Sequence, residues 1–190
     1  MDQFGDLALI ALGSNKNSSW GDPTETVKNA MRTLEKLAQA HVYESRLYAT
    51  PAFPADAGPD FVNAAVAMRT DKTAHQLLDT LHQIEAAAGR ERHGRWNQRT
   101  LDLDLLALGA LVLPDDETQS HWRNLPLTKQ QQHAPSELIL PHPRMQDRAF
   151  VLVPLADVAP DWQHPLLGAN VRDMLSKCDP DAIASVVALS

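Results

Sequence analysis

The stretch from Arg95 to Leu106 reads Arg-Trp-Asn-Gln-Arg-Thr-Leu-Asp-Leu-Asp-Leu-Leu, and its second half decides the fold assignment. Between residues 101 and 105, leucines alternate with Asp102 and Asp104, which is the two-residue period of a β-strand. Side chains two residues apart in a strand point to the same face and lie about 7 Å apart along the chain. The pattern therefore predicts a strand with one buried leucine face and one face that carries both carboxylates.

The two carboxylates and the arginines before them together indicate a phosphate site. Two close carboxylates repel each other unless a cation lies between them, and Mg²⁺ accepts carboxylate oxygens together with substrate phosphates. Arginine presents a planar fork of donors that matches phosphate oxygens. Only Glu91 opposes the four arginines of this segment, which are Arg90, Arg92, Arg95 and Arg99. Taken separately, the two halves also fit a solvated acidic strand and a solvated basic loop.

Composition bounds the class of protein. The 190 residues predict one domain, residues 1–190, and the net charge of −7 does not favour general binding to nucleic acid or membranes. The single Cys178 excludes an internal disulfide and fits a reducing compartment. No apolar run approaches the roughly 20 residues of a membrane helix, and the first residues lack the basic start of a secretion signal. We therefore expect a cytoplasmic protein.

Hydrophobic periodicity and turn residues predict an α+β fold. In chain order we expect a strand over 7–12, a helix that begins at Pro23 after an Asp22 cap, a strand over 41–48, a proline-rich loop over 50–60, a strand over 61–69, a helix from Thr73 to Gly89 and the aspartate-bearing strand. This β-α-β-β-α-β order is typical of ferredoxin-like folds. Such a domain packs its helices on one face of a mainly antiparallel sheet.

The rest of the chain is less regular. Residues 114–136 are polar and show little periodicity, which predicts a long surface insertion. Short helices over 148–157 and 171–177 are expected to close the fold.

Several short motifs occur in one order along the chain. They are Ala-Leu-Gly-Ser-Asn at 11–15, Thr-Pro-Ala-Phe at 50–53, Phe-Val-Asn at 61–63, Gly-Arg at 89–90, Arg-Trp at 95–96, Arg-Thr-Leu-Asp-Leu-Asp at 99–104 and Pro-His-Pro-Arg at 141–144, with Arg148 and Phe150. From about Ala8 to Pro160, outside the insertion, this pattern closely resembles the 6-hydroxymethyl-7,8-dihydropterin pyrophosphokinase family of folate biosynthesis.

The resemblance implies a reaction and its catalytic groups. The family transfers the pyrophosphate of ATP to the hydroxymethyl group of the pterin and releases AMP. By this resemblance Asp102 and Asp104 would bind two Mg²⁺ ions, with ATP as co-substrate. Arg90 and Arg99 match arginines of a mobile family loop that closes on the triphosphate.

The resemblance also implies the substrate contacts. The pterin would contact Asn15, Thr50, Pro51, Phe53, Phe61, Asn63, Trp96 and Phe150, with Phe61 and Phe150 stacking on its two faces. ATP would contact His82, Glu85, Arg95, Arg99, Leu105, His142 and Arg148. The implied partners are these two small molecules, with no nucleic acid and no membrane, and the family commonly acts as a monomer.

The sequence alone leaves alternative functions open. The chain could be a binding protein that keeps the pterin pocket without turnover, although the retained aspartates and arginines argue against decay. It could use another hydroxyalkyl pterin as acceptor. An RNA-binding ferredoxin-like domain is disfavoured by the acidic net charge and by the absence of aromatic RNA-binding strand motifs. Asn97-Gln98 stands where the family usually has Gly-Pro, so loop closure could differ.

Overall fold

A computed structural model describes residues 5–38, 41–52, 58–90, 100–126, 128–129 and 133–190. Within these residues lies one antiparallel sheet, whose strands are β1 (Asp6–Ser14), β2 (Tyr43–Glu44), β3 (Tyr48–Thr50), β4 (Phe61–Thr70), β5 (Asp102–Leu108) and β6 (Val187–Ala188). The strand order is β5-β1-β4-β3-β6, and β2 also pairs with β4. The predicted α+β class with a mainly antiparallel sheet is confirmed.

Helices connect and cover the sheet. They are α1 (Pro23–Leu37), α2 (Ala74–Ala87), α3 (Asp116–Asn124), α4 (Ala149–Val158), α5 (Val171–Leu175) and α6 (Pro180–Ala184), with a 3₁₀ turn at Met145–Asp147. The predicted helix starts are confirmed. The Asp22 side chain accepts the Glu25 N–H at 2.9 Å, and Thr73 with Gln76 forms a capping box. Helix α2 ends before Gly89, whose φ of 78° suits a residue without Cβ.

Both faces of the sheet are covered, which differs from the expectation of helices on one face. Ile10 and Leu12 of β1 belong to a core with α1 and α2, whereas Leu9 lies on the other face with residues of α4 and α5. That second face is apolar over most of its area, for example at Ala65 and Leu106, so it also has to be buried. The C-terminal helices cover it.

Three local features depart from the sequence-based expectation. The strand expected over 41–48 is split, because the Ser45 hydroxyl accepts the Ala65 N–H at 2.8 Å in place of a backbone carbonyl. The segment 114–136 contains α3, whose buried Gln119 donates to the Pro141 carbonyl at 3.0 Å. The C-terminal strand β6 was not expected, and it pairs with β3. Over the described ranges, no helix combines the length and the apolar character needed to cross a membrane.

Candidate active site

One row of residues crosses the sheet near the end of β1. Gly13 of β1 lies opposite Asn63 of β4 on one side and opposite Asp102 of β5 on the other. Asn63 is also opposite Tyr48 of β3, and Thr50 follows two residues later on the same face. Since neighbouring strands are about 5 Å apart, the Asn63 and Asp102 backbones are separated by about 10 Å. The row therefore brings an amide and a carboxylate to one surface across that distance.

Strand β5 has the two faces that its sequence predicts. Leu101, Leu103 and Leu105 are each 3% exposed or less and pack in the core formed with α1 and α2. Asp102 and Asp104 are half-buried on the opposite face, where Asp104 lies across from Ala11 of β1. The carboxylate pair is thus held on a strand of the sheet rather than on a loop.

Arg90 links two carboxylates at the edge of the sheet. Its guanidinium pairs with Glu85 of α2 and, at 2.7 Å, with Oδ1 of Asp102. Glu85 is 2% exposed and also accepts the backbone N–H of Leu103 at 2.8 Å. A buried carboxylate is tolerated only with such partners. Helix α2, strand β5 and Arg90 are therefore joined by one charged network, and Arg90 supplies a cationic group beside Asp102.

The segment before α4 contributes the neutral His142 and the positive charges of Arg144 and Arg148 near it. The His142 N–H donates to the Leu106 carbonyl at 2.8 Å, which fixes this segment beside β5. The Arg144 N–H donates to Nδ1 of His142 at 3.1 Å. Burial, reinforced by the positive charges of Arg148 and Arg144, lowers the pKa of His142 to about 3, and the negative charge of Asp102 opposes this. His142 is thus neutral at pH 7, and because Nδ1 accepts a hydrogen bond its proton is assigned to Nε2.

The amide end of the row is a small polar pocket. Asn63 and Thr50 are buried, and the Asn63 Nδ2 donates to the Thr50 Oγ1 at 2.7 Å. A Cβ on Gly13 would lie 3.0 Å from the Asn63 Oδ1, so glycine at this position leaves room for the close approach of this amide. The buried Asn15 donates to the Pro59 carbonyl at 3.2 Å, which holds the end of the proline loop.

Phe61 lies beside this pocket, and Phe150 is an exposed ring near Arg148. Phe61 is half-buried two residues before Asn63 on the same face of β4, and its ring lies 3.9 Å from the position of a Gly13 Cβ. Phe150, in the first turn of α4, is 41% exposed, and the Arg148 guanidinium lies 5.6 Å from its ring centre. An aromatic ring beside a polar pocket, as Phe61 provides here, suits a planar ligand.

The structure places part of the predicted site residues in contact, namely Thr50 with Asn63 and Arg90 with both Glu85 and Asp102. Pro51 is exposed at the start of the proline loop, and His82 is half-buried on α2 one turn before Glu85. The Leu105 side chain lies in the α1–α2 core, so only its main chain is available to a nucleotide. Phe53, Arg95, Trp96 and Arg99 lie outside the described residues. Gly13 and Arg144 are not predicted as site residues from the sequence, although they belong to the motifs at 11–15 and 141–144.

Comparisons with known proteins agree on one family. The model of the 7,8-dihydro-6-hydroxymethylpterin-pyrophosphokinase (HPPK) family matches residues 9–160. The chain belongs to this family. A 2-amino-4-hydroxy-6-hydroxymethyldihydropteridine pyrophosphokinase of Methylorubrum extorquens is 37% identical over 181 residues, which cover 94% of this chain and 98% of the relative. One of Pseudomonas aeruginosa is 39% identical over 176 residues, which cover 92% of this chain and 93% of the relative.

Membership of the HPPK family confirms the predicted reaction, which is pyrophosphoryl transfer from ATP to hydroxymethyldihydropterin in folate biosynthesis. The crystal structure of wild-type Plasmodium falciparum HPPK-DHPS has a TM-score of 0.61 to this chain at 13% identity, over 93% of this chain. At that identity the likeness supports the fold alone. This chain covers about 45% of the length of that solved chain.

Proposed function

We propose that the end of the sheet that carries Asn63, Gly13 and Asp102 is the active site of this HPPK. The row of these three residues is the observation that supports it most directly. It sets a pocket with amide, hydroxyl and ring groups about 10 Å from a carboxylate pair, on one face of one sheet. A pterin and the phosphates of ATP need these two kinds of surroundings side by side.

The pterin is proposed to lie over the Gly13 backbone. Asn63 offers both a donor and an acceptor to the heteroaromatic edge, and Thr50 adds a hydroxyl. Phe61 and Phe150 are proposed to stack on its faces. Asn15 and Pro51 shape the rim, and Phe53 and Trp96, which lie outside the described residues, remain proposed pterin contacts.

The phosphates of ATP are proposed to lie between β5 and the segment before α4. The neutral His142 donates from Nε2, and Arg148 supplies a charged fork. Arg90 is proposed to balance charge from the α2 side, and Arg95 and Arg99 are proposed to contact the triphosphate as well. His82, Glu85 and the Leu105 main chain are proposed to flank the nucleotide.

The residues at β5 fit the two Mg²⁺ ions implied by the family. Among the described residues no group of three or more His, Cys, Asp or Glu side chains is placed to hold a metal ion. Asp102 and Asp104 supply two carboxylates on one face, and Mg²⁺ commonly takes one or two carboxylates plus substrate phosphates. Bound there, Mg²⁺ would supply positive charge that polarises phosphate and hydroxyl oxygens.

The protein's own contribution to the reaction is positioning and charge. The pterin hydroxymethyl oxygen loses its proton and bonds to the β-phosphorus, while the bond from that phosphorus to the oxygen of the α-phosphate breaks and AMP leaves. Asn63 and the two rings hold the acceptor in line with this bond. Arg90, Arg99 and Arg148 stabilise the charge that spreads over the phosphate oxygens, which is the main requirement of phosphoryl-type transfer.

The direct test is product identity. The protein is mixed with Mg²⁺, ATP and 6-hydroxymethyl-7,8-dihydropterin, and the nucleotides and pterins are separated by chromatography. AMP that appears in step with pterin diphosphate supports the proposal, whereas ADP would refute pyrophosphoryl transfer. A parallel reaction with a hydroxyethyl pterin tests the acceptor, because faster turnover of that compound would show a different natural substrate. Omission of Mg²⁺ should abolish turnover.

The monomeric state and the cytoplasmic location remain predictions from sequence. The first rests on the family resemblance, and the second rests on the single cysteine. Light scattering on the purified protein measures the mass in solution, and a mass near twice 20.9 kDa would contradict a monomer.

A further inference from the structure

Arg144 is a half-buried arginine whose guanidinium has no hydrogen-bond or ion-pair partner among the described residues. Its backbone N–H donates to His142, but within the described part of the chain its guanidinium makes no hydrogen bond and no ion pair. The Nε atom is fully buried and has no hydrogen-bond partner there. A buried donor or charge without a partner costs free energy, so most proteins pair such groups.

The surroundings of Arg144 make this cost larger. Burial lowers the pKa of Arg144, the nearby charge of Arg148 lowers it further, and only Asp147 opposes them. The neighbouring His142 is neutral and cannot balance a positive charge. The carboxylate of Asp102 is already paired with Arg90. Arg144 and Arg148 therefore form a like-charged pair on the segment that closes the proposed phosphate site.

An anion that binds both guanidinium groups offsets the repulsion between two neighbouring arginines. We propose that Arg144 is a further ATP-binding residue, which donates from its guanidinium to the phosphate chain of the nucleotide beside Arg148. This proposal rests on the proposed active site, because it places the phosphates next to His142. It differs from the roles already proposed there, which use His142 and Arg148 without Arg144.

The proposal predicts opposite effects of one substitution on stability and on affinity. Arg144→Met keeps most of the aliphatic stem but removes the unpaired charge and its repulsion with Arg148. The Tm of the free protein should therefore stay the same or rise. A residue that merely supports the fold would instead lower the Tm when it is replaced.

The experiment measures nucleotide binding without turnover. The ligand is Mg²⁺ with α,β-methylene-ATP, in which a methylene group replaces the oxygen that bridges the α- and β-phosphorus atoms, so that the transfer cannot occur. Isothermal calorimetry measures its binding to the wild type and to the Arg144→Met, Arg144→Ala and Arg144→Lys variants. Charge-assisted hydrogen bonds predict that the Met and Ala variants bind roughly tenfold more weakly, with partial recovery in the Lys variant. Binding of 6-hydroxymethylpterin alone should change less than about twofold, since that ligand carries no phosphate.

The matched control is Arg32→Ala, which removes an exposed arginine of α1 on the opposite face of the sheet. Its affinity for the analogue should equal that of the wild type. The proposal is overturned if Arg144→Met binds the analogue as tightly as the wild type, or if its Tm falls while its affinity is unchanged. The result stays separate from the proposed function, because a protein that forms no AMP can still be scored for binding of the analogue.

Discussion

At the scale of single residues, the proposed site depends on a few side chains and on a glycine that leaves space for one of them. Asp102 belongs to the proposed metal-binding pair and also pairs with Arg90, while Gly13 leaves room for the Asn63 amide. Neither role is visible from burial alone. Both follow from the cross-strand row that sets these residues side by side.

Asp102→Asn is expected to remove turnover and keep the fold. The amide cannot supply the negative charge that holds Mg²⁺ and balances Arg90, so kcat should fall by at least about 10²-fold. The side chain is partly exposed at the sheet edge, so a change in Tm of only a few degrees is expected. Steady-state kinetics and a thermal melt measure the two effects, with exposed Asp161→Asn as control. A variant that retained near-normal kcat would exclude Asp102 as a metal ligand.

Gly13→Ala is expected to weaken pterin binding more than ATP binding. The added methyl would press on the Asn63 Oδ1 at 3.0 Å, so the amide has to shift by a few tenths of an ångström. We expect the Kd for the pterin to rise roughly tenfold, which corresponds to loss of one good hydrogen bond. Fluorescence titration with the pterin measures this change.

Gly168→Ala is the control for backbone effects, because its φ of 61° makes alanine strained although no atom lies within 4 Å of the new Cβ. That variant should lose stability with no loss of pterin affinity. Equal losses of affinity in both variants would show that Gly13 acts through general stability.

At the scale of elements, Glu85 joins α2 to the sheet edge. Strand β5 ends the strand order, so its outward Leu103 N–H needs a partner, and the Glu85 carboxylate provides one at 2.8 Å. Helix α2 thereby positions both β5 and Arg90. The proposed nucleotide site consequently depends on the contact between a helix and a strand as well as on its own side chains.

Glu85→Ala is expected to cost about 1–3 kcal/mol of unfolding free energy, because it leaves a buried N–H without an acceptor. Glu85→Gln keeps an acceptor oxygen for Leu103 but not the charge opposite Arg90. The Gln variant should therefore recover part of the stability and still show a raised KM for ATP. Urea denaturation and ATP kinetics of the two variants separate these roles. If the Gln variant were as unstable as the Ala variant, the Leu103 contact would not be the stabilising one.

At the scale of the whole molecule, the pair Tyr48 and Asp157 joins the side of the sheet that is proposed to bind the pterin to α4. Asp157, near the end of α4, accepts from the Tyr48 hydroxyl at 2.7 Å and from the Arg46 guanidinium at 2.9 Å. Burial would raise the pKa of Asp157, but the hydrogen bonds from Arg46 and Tyr48 outweigh burial and lower it. Burial, together with the hydrogen bond to Asp157, raises the pKa of Tyr48 to about 12.

The raised pKa of Tyr48 predicts a loss of stability in alkali. An unfolded tyrosine loses its proton near pH 10, whereas folded Tyr48 keeps it to about pH 12, so the folded state holds the extra proton in this interval. The contribution of Tyr48 to stability is thus complete below pH 10 and is lost as the pH rises towards 12. Denaturation between pH 9 and 12 should show a smaller decline in Tyr48→Phe than in the wild type. Tyr43→Phe, which alters the exposed second tyrosine, should decline like the wild type.

How far the sequence predicts this molecule differs from one feature to the next. Strand β5 and the helix starts at Asp22 and Thr73 follow from local rules, since alternation and capping depend on neighbours in the chain. The split at Ser45 and the strand β6 do not, because each depends on a partner distant in sequence.

Some residues of the proposed site can likewise be predicted from local sequence rules and others cannot. The carboxylate pair follows from the periodicity of β5, whereas Asn63, Phe61 and Phe150 were selected only by family resemblance. Arg144 was not selected at all, because the lack of a partner for its guanidinium among the described residues becomes evident only when the segment before α4 is folded beside His142. The secondary-structure elements and the charged residues can therefore be predicted from the sequence, whereas the contacts between them cannot.

Strand β6 has a practical consequence for handling the protein. Val187 and Ala188 pair with β3, and the Leu189 N–H donates to the Leu47 carbonyl at 2.8 Å, so these residues cover an edge of the sheet next to the proposed pterin pocket. A chain shortened before residue 187 would expose that edge, and bare strand edges recruit strands from other molecules. Purification tags are therefore better placed at the N-terminus, where they leave this protection against aggregation intact.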